Sequence, residues 1–254
     1  MTDEVLVAEH GPVLVITINR PRARNAINAA VTQGVSAALD VLDERDDLVV
    51  GILTGAEGTF SSGMDLKAFL RGEVVQLPGR GLAGMTERPP RKPMIAAVEG
   101  YALAGGCELV LACDLVVAAE DARFGIPEVK RGLVAGAGGL LRLPRRIPPQ
   151  LAMEYALTGD SFSAADAHRH GLVNRLTEPG GALPEALALA GRIAANAPLA
   201  VRASKEIITR SADWRSDEAF THQQALARPV FESADAREGA SAFAEKRAPV
   251  WRGE

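Results

Sequence analysis

Glu108 lies in Gly105-Gly-Cys-Glu-Leu-Val-Leu-Ala-Cys113, a segment whose other side chains are small or apolar. A helix that is apolar all round is buried. An unpaired charge there costs several kcal/mol, so the carboxyl must be hydrogen-bonded, shifted in pKa, or used in a reaction. The alternative to a reactive group is a structural carboxylate satisfied by backbone amides. A second acid, Glu128, follows in Phe124-Gly-Ile-Pro-Glu-Val-Lys130, where Pro127 stiffens the approach and Gly125 permits a turn. Taken alone it also reads as a solvated loop residue. Two carboxyls in different environments can divide acid and base duties between them. Gly105-Gly106 opens the buried helix, so its first amides lack intrahelical acceptors and the macrodipole adds positive potential, which suits a developing oxyanion. Ser61-Ser-Gly-Met-Asp65 forms a second loop able to aim a backbone amide at the same place, or an ordinary turn with Asp65 as a helix cap.

The elements that must position these groups follow from pattern. Val13 to Asn19 is a short β-branched run bounded by Gly11-Pro12 and Arg20-Pro21 and reads as a strand, with Val5 to Ala8 pairing beside it. Residues 29 to 44 carry apolar positions at helical spacing, and Leu48 to Thr54 is a further strand. Met94 to Val98 predicts a strand, Gly105 to Ala112 a helix and Leu115 to Ala118 another strand, with Phe124 and Val129 in short extended pieces. This alternation predicts an α/β fold with helices outside short parallel strands. From Leu183 onward the chain reads as helices: Leu183 to Ala195, Leu199 to Ser211, Asp217 to Phe231 and Asp235 to Arg247. The expected division is a catalytic core over 1–195 and a helical region over 196–254. Between Arg71 and Pro93, five Gly or Pro precede Pro89-Pro90, giving a long loop that is either a lid or disordered.

Composition narrows the function classes. The chain has 254 residues, 47% hydrophobic and 24% charged, enough apolar mass for one full core. A net charge of -4 gives no reason to attract nucleic acid or anionic lipid. The apolar tract Met94 to Ala119 contains Glu99, Glu108 and Asp114 and reads as core, so no membrane partner is expected. Met1 to Gly11 carries acidic residues and no basic stem, unlike a secretory signal, and a cytoplasmic location is expected. Cys107 and Cys113 fit neither a disulfide framework nor zinc spacing, and His10, His168, His170 and His222 form no ligand or triad pattern, so no metal is expected. Gly136-Ala-Gly-Gly139 lacks the Gly-Lys-Ser/Thr of a phosphate loop and reads as tight packing or a turn. No Gly-x-Ser-x-Gly elbow exists.

Six segments in order resemble the motifs of the crotonase (enoyl-CoA hydratase/isomerase) family: Arg20-Pro21 with Asn25-Ala26; Phe60-Ser-Ser-Gly-Met-Asp-Leu66; Ala96-Ala-Val-Glu-Gly-Tyr-Ala-Leu-Ala-Gly-Gly-Cys-Glu108; Pro127-Glu128; Gly136-Ala-Gly-Gly139 with Leu143-Pro144; and Ala156-Leu-Thr-Gly159. The resemblance implies a spiral of ββα turns with a helical C-terminal trimerisation region, giving a homotrimer or a hexamer of two trimers. It implies an acyl-CoA thioester substrate, with coenzyme A entering as part of that substrate and no separate cofactor. The thioester carbonyl would sit between the backbone amides of Ser62 and Gly105. Glu108 would orient and activate water, and Glu128 would exchange the proton at the α-carbon. Arg24, Ser62, Gly63, Met64, Asp65, Lys67, Phe243 and Lys246 fall where the family contacts substrate and coenzyme A, with Lys246 serving a neighbouring subunit.

The reaction so implied is reversible hydration of a trans-2-enoyl-CoA to a 3-hydroxyacyl-CoA, as in fatty-acid β-oxidation. Leu143-Pro-Arg-Arg-Ile-Pro-Pro149, Leu172-Val-Asn-Arg175 and the ending Ala244 to Gly253 resemble the carnitinyl-CoA dehydratases of the same family, the alternative on the substrate side. An isomerase, a thioesterase, a carbon-carbon hydrolase or a non-catalytic acyl-CoA-binding relative would also fit the scaffold. Ala104 stands where many relatives have a third glycine, and Leu140-Leu141 replaces a Thr-Gln pair. A helix N-terminus favours ionised Glu108 while burial favours its neutral form, and the two acids are expected to share one proton near neutral pH.

Overall fold

A computed structural model describes residues 4–254; the first three residues of the region 1–195 lie outside the described part. Strands β1 (Val5–His10) and β2 (Val13–Ile18) form a hairpin around Gly11, whose φ of +58° suits a tight turn. Helix α1 (Ala29–Glu44) follows, started by Asn28, whose side chain accepts from the Val31 amide. Strand β3 (Val50–Gly55) then lies parallel to β2. The chain continues through α2 (Leu66–Leu70), a two-strand ribbon β4 (Gln76–Leu77) and β5 (Gly81–Leu82), and β6 (Met94–Val98). Next come β7 (Tyr101–Leu103), α3 (Gly105–Ala112), β8 (Leu115–Ala119) and β9 (Arg123–Gly125). The later elements are α4 (Gly139–Arg146), α5 (Pro149–Thr158), β10 (Phe162–Ser163), α6 (Ala164–Arg169), β11 (Arg175–Thr177) and α7 (Ala182–Ala194). Helices α8 (Pro198–Ser211), α9 (Ala219–Glu232) and α10 (Ala234–Glu245) end the chain.

The main sheet runs β1-β2-β3-β6-β8-β11, parallel throughout except for the antiparallel edge strand β1, and a second sheet runs β10-β9-β7. The strands read as unbroken apolar runs because both faces of the main sheet are covered. Along β2, Leu14, Ile16 and Ile18 meet Val31, Val35 and Leu39 of α1 in the larger core. Their neighbours Val13 and Val15 join Val50, Ile52, Ile95 and Val117 against Ala182, Ala186 and Ala190 of α7. Helices thus cover both faces of a largely parallel sheet, and further helices end the chain.

Two expectations change. Val129 is not extended: Pro127–Arg131 forms a 3₁₀ turn, because Pro127 fixes φ at its first position and Gly132, at φ +69°, closes it. The 71–93 segment is an ordered flap, with the β4–β5 ribbon and buried Leu82, Ala83, Met85 and Thr86. No helix among the described residues is long and apolar enough to cross a membrane.

Candidate active site

Helix α3 is buried along its whole length, and Glu108 is 3% exposed within it. Its Oε1 accepts from the amides of Ala137 (2.7 Å) and Gly139 (2.9 Å), so the Gly136–Gly139 turn grips one carboxylate oxygen. Glycine at 139 eases this close approach, since a Cβ there would lie 3.1 Å from both Cγ and Oε1 of Glu108 and push them back by a few tenths of an ångström. Spacing alone reads this segment as tight packing or a turn; its further signal is its place among the six motifs of the resemblance. Arg142 is a further site residue that the sequence pattern does not single out. Its Nη2 donates to the Thr86 carbonyl at 2.5 Å, its guanidinium packs over Gly138, and its charge acts on Glu108. It thereby ties the flap to the turn that holds the acid.

Both carboxyls sit above their ordinary range. Burial pushes Glu108 up, against the opposing pull of the Gly139 and Ala137 amides and of Arg142. Burial also pushes Glu128 up to about 7; its own backbone amide works against this, and the nearby Glu108 charge adds to it. Glu128, at 9% exposure, leaves Oε2 buried without a hydrogen-bond partner among the described residues. A buried acceptor without a donor is costly unless it carries a proton or meets a ligand hydroxyl. The two cysteines are buried free thiols, and no described cluster of His, Cys, Asp or Glu could hold a metal ion.

The amides near α3 correct one expectation. The Ser62 N–H is already donated to the Arg24 carbonyl at 3.0 Å, so Ser62 is not the second oxyanion donor. Met64 is. It bridges Ile27 in parallel, with Ile27 N–H donating to the Gly63 carbonyl and Asp65 N–H to the Ile27 carbonyl, which turns the Met64 N–H away from Ile27. That N–H lies 3.4 Å from where a Cβ on Gly105 would stand, and neither it nor the Gly105 N–H meets an acceptor among the described residues. Two free amides thus converge at the start of α3, under the side chain of Leu82 from the flap. The loop approaches so closely that Gly106 has no room for a Cβ, which would stand 2.4 Å from the Ser61 carbonyl oxygen.

Ala104 precedes these amides at φ 51°, ψ −127°, a region that glycine tolerates and alanine does not. Ala104→Gly is therefore expected to stabilise the protein by about 1 kcal/mol, relief of strain outweighing the extra freedom of the unfolded chain. Thermal melting checks this, and a lower Tm would show that no strain is held at Ala104.

The remaining candidates divide into two places. Arg24 and Lys67 are exposed and flank the Ser61–Asp65 loop, Arg24 through its carbonyl bond to Ser62 and Lys67 at the start of α2. Asp65 is occupied structurally: its Oδ1 accepts from Lys67 N (3.0 Å) and Ala68 N (3.1 Å), and Oδ2 meets Arg20 Nη2 at 3.1 Å. Burial opposes its charge, but the Ala68 amide and Arg20 prevail and hold it below the usual carboxylate range. It caps α2 and anchors the loop to Arg20. Phe243, 88% exposed, and Lys246 lie at the end of α10, which packs against α9.

Glu128 opens on a chamber of about 450 Å³ walled by the 3₁₀ turn, α4 and α5. Ala135 of this wall lies 3.0 Å from where a Cβ on Gly139 would stand, and Glu108 lies 3.1 Å from the same point, behind the wall. A cavity of similar size, about 440 Å³, lies between Lys92, Arg202 and Trp251; neither glutamate lines it.

Buried paired acids and two free amides on an α/β scaffold suit acid–base chemistry with stabilisation of an oxyanion. Residues 8–254 match the family model described as enoyl-CoA hydratase/isomerase. The chain is 43% identical to the carnitinyl-CoA dehydratase of Salmonella typhi, with all of both chains covered. It superimposes on the enoyl-CoA hydratase of Mycobacterium tuberculosis H37Rv with a TM-score of 0.98 at 62% identity, and on the carnitinyl-CoA hydratase of Mycobacterium avium with a TM-score of 0.80 at 43% identity, each covering both chains fully. The chain belongs to the enoyl-CoA hydratase/isomerase (crotonase) family and is an enzyme of the hydro-lyase type. The family acts on acyl-CoA thioesters.

Proposed function

We propose that this chain adds water reversibly to a trans-2-enoyl-CoA, giving the 3-hydroxyacyl-CoA. The observation that carries this reading is the pair of buried acids, Glu128 with an unpartnered oxygen and Glu108 on the helix whose start holds two free amides. The thioester oxygen accepts from Met64 N–H and Gly105 N–H, which stabilise the enolate as charge develops; one such donor is worth roughly 3 kcal/mol elsewhere. Glu108, fixed through Oε1, takes a proton from water with its other oxygen as the water adds to the β-carbon. Glu128 delivers a proton to the α-carbon. Dehydration runs the same steps backwards. Proton transfer and charge stabilisation suffice, so no cofactor is called for beyond the coenzyme A of the substrate itself.

Arg24 and Lys67 would hold the adenosine phosphates, joined by Lys246 and Phe243 of a neighbouring subunit. That arrangement calls for a homotrimer, or two trimers as a hexamer, assembled through region 196–254, whose helices expose Ile208, Phe220 and Phe231. A cytoplasmic location fits such an enzyme. The curated carnitinyl-CoA dehydratases support a second reading, the same chemistry on an acyl group bearing trimethylammonium.

Loss of the conjugated-thioester absorbance of a short trans-2-enoyl-CoA tests the reaction; an unchanged absorbance would leave an isomerase or a binding protein. The pH profile tests the roles. Glu128 must hold a proton and Glu108 must not, so kcat/KM for hydration falls on the alkaline side with an apparent pKa near 7 and on the acid side above the usual carboxylate range. A profile flat from about pH 6 to about 9 removes Glu128 as proton donor.

A further inference from the structure

We infer that the chamber beyond Glu128 takes an uncharged apolar acyl tail and rejects a trimethylammonium one, so this chain departs in substrate from the carnitinyl-CoA dehydratases it resembles. The inference rests on the acyl-CoA reading above and deepens it.

Among the described residues Glu128 is the one ionisable group on the chamber wall; the rest is apolar, including Ile126, Val134, Leu140, Met153 and Leu157. A buried cation needs a carboxylate partner or the face of an aromatic ring. No ring lines this space. Phe124, Phe162 and Tyr155 on adjoining elements stack on one another, with centroids 5.9 Å and 4.5 Å apart, and none reaches the wall. Glu128 cannot serve as counter-ion while it carries the proton it must deliver, and a cation beside it would favour the ionised form that the reaction does not want. The wall is also continuous with exposed apolar side chains, Val134 (68%), Leu140 (45%), Met153 (60%) and Leu157 (71%), which extend an apolar track outward from the acids. An aliphatic tail lying along that track gains affinity with each methylene, whereas a cationic head must be desolvated without compensation.

Two thioesters of the same shape separate charge from size: crotonobetainyl-CoA and 5,5-dimethylhex-2-enoyl-CoA, in which a quaternary carbon replaces the quaternary nitrogen. The carbon compound is expected to have kcat/KM at least about 100-fold higher, and unbranched enoyl-CoAs to gain roughly three- to fourfold per added methylene from four to eight carbons. Leu140→Glu, which puts a carboxylate on a half-exposed stretch of wall, is expected to narrow the charge preference at least about tenfold. The dissociation constants of the saturated pair, 5,5-dimethylhexanoyl-CoA and its trimethylammonium isostere, read the same preference without turnover. If no thioester is hydrated, the proposed reaction fails, and the ratio of dissociation constants still decides the tail. Equal affinities, tighter binding of the cationic compound, or insensitivity of both to Leu140→Glu overturn the inference, the last marking the track as a contact between copies of the chain.

Discussion

Glu128→Gln is expected to lower kcat for hydration by roughly 10²- to 10⁴-fold and to raise, not lower, the melting temperature above neutral pH. The carboxyl is buried, its Oε2 has no donor, and its pKa stands at about 7 against an ordinary 4.5. Between those values the folded protein binds a proton that the unfolded chain has lost. The stability so gained is complete below about pH 4.5 and disappears as pH rises through about 7. Glutamine does not titrate, so the variant escapes that loss, by on the order of 1–2 kcal/mol once solvent contact at the chamber mouth is allowed for. The two proteins should therefore melt alike near pH 4.5 and diverge by pH 8, with the variant the more stable. Glu108→Gln should match the loss of turnover and shift stability with pH in the same direction, because burial raises Glu108 too, while a glutamine oxygen still accepts from Ala137 and Gly139. Glu108→Ala, by contrast, strands both amides and costs about 1–3 kcal/mol for each one left dry. Wild-type turnover in both glutamine variants would end the assignment of roles.

The difference between the two acids shows what a sequence carries. Glu108 is conspicuous because burial of α3 is written in its own composition, and a charge in an all-apolar helix has few uses. The strands are legible for a related reason: helices on both faces of the sheet leave no polar positions in β2, β3 and β6 beyond single threonines. The partners of Glu108 are not legible, because Ala137 and Gly139 act through main-chain amides that any residue could present. Only three-dimensional placement shows how tightly the Gly139 backbone approaches Glu108. The choice of Met64 over Ser62 fails to emerge for the same reason. Ser62 and Met64, two apart, would aim their N–H groups alike in an extended run, but Gly63 at φ +91° turns the chain between them, and the bridge to Ile27, distant in sequence, sets the direction at Met64. Arg142 reads as one more charge on a basic helix until its contact with Thr86 across the flap is seen.

Gly63→Ala should be nearly as damaging as loss of a glutamate although no functional side chain is removed. Gly63 has φ +91°, and a Cβ there would stand 2.8 Å from the Gly105 amide nitrogen, the Leu103 carbonyl oxygen and Ala104 Cβ. None of these is the free end of a flexible side chain, so the loop or the start of α3 must move. Either movement separates the Met64 and Gly105 amides. The expected result is a fall in kcat of about 10²- to 10³-fold, the scale of losing one oxyanion donor, with a stability loss of about 1–3 kcal/mol from strain and overpacking. Gly58→Ala isolates the second effect from the first. Its φ of +71° is just as unsuited to alanine, but nothing lies within 4 Å of the added carbon. It should lose about 1 kcal/mol of stability and keep its kcat. A Gly63→Ala enzyme that turned over like the Gly58→Ala enzyme would mean that the thioester oxygen is held elsewhere, because the strain would be shared and only the displacement of Met64 from Gly105 would distinguish them.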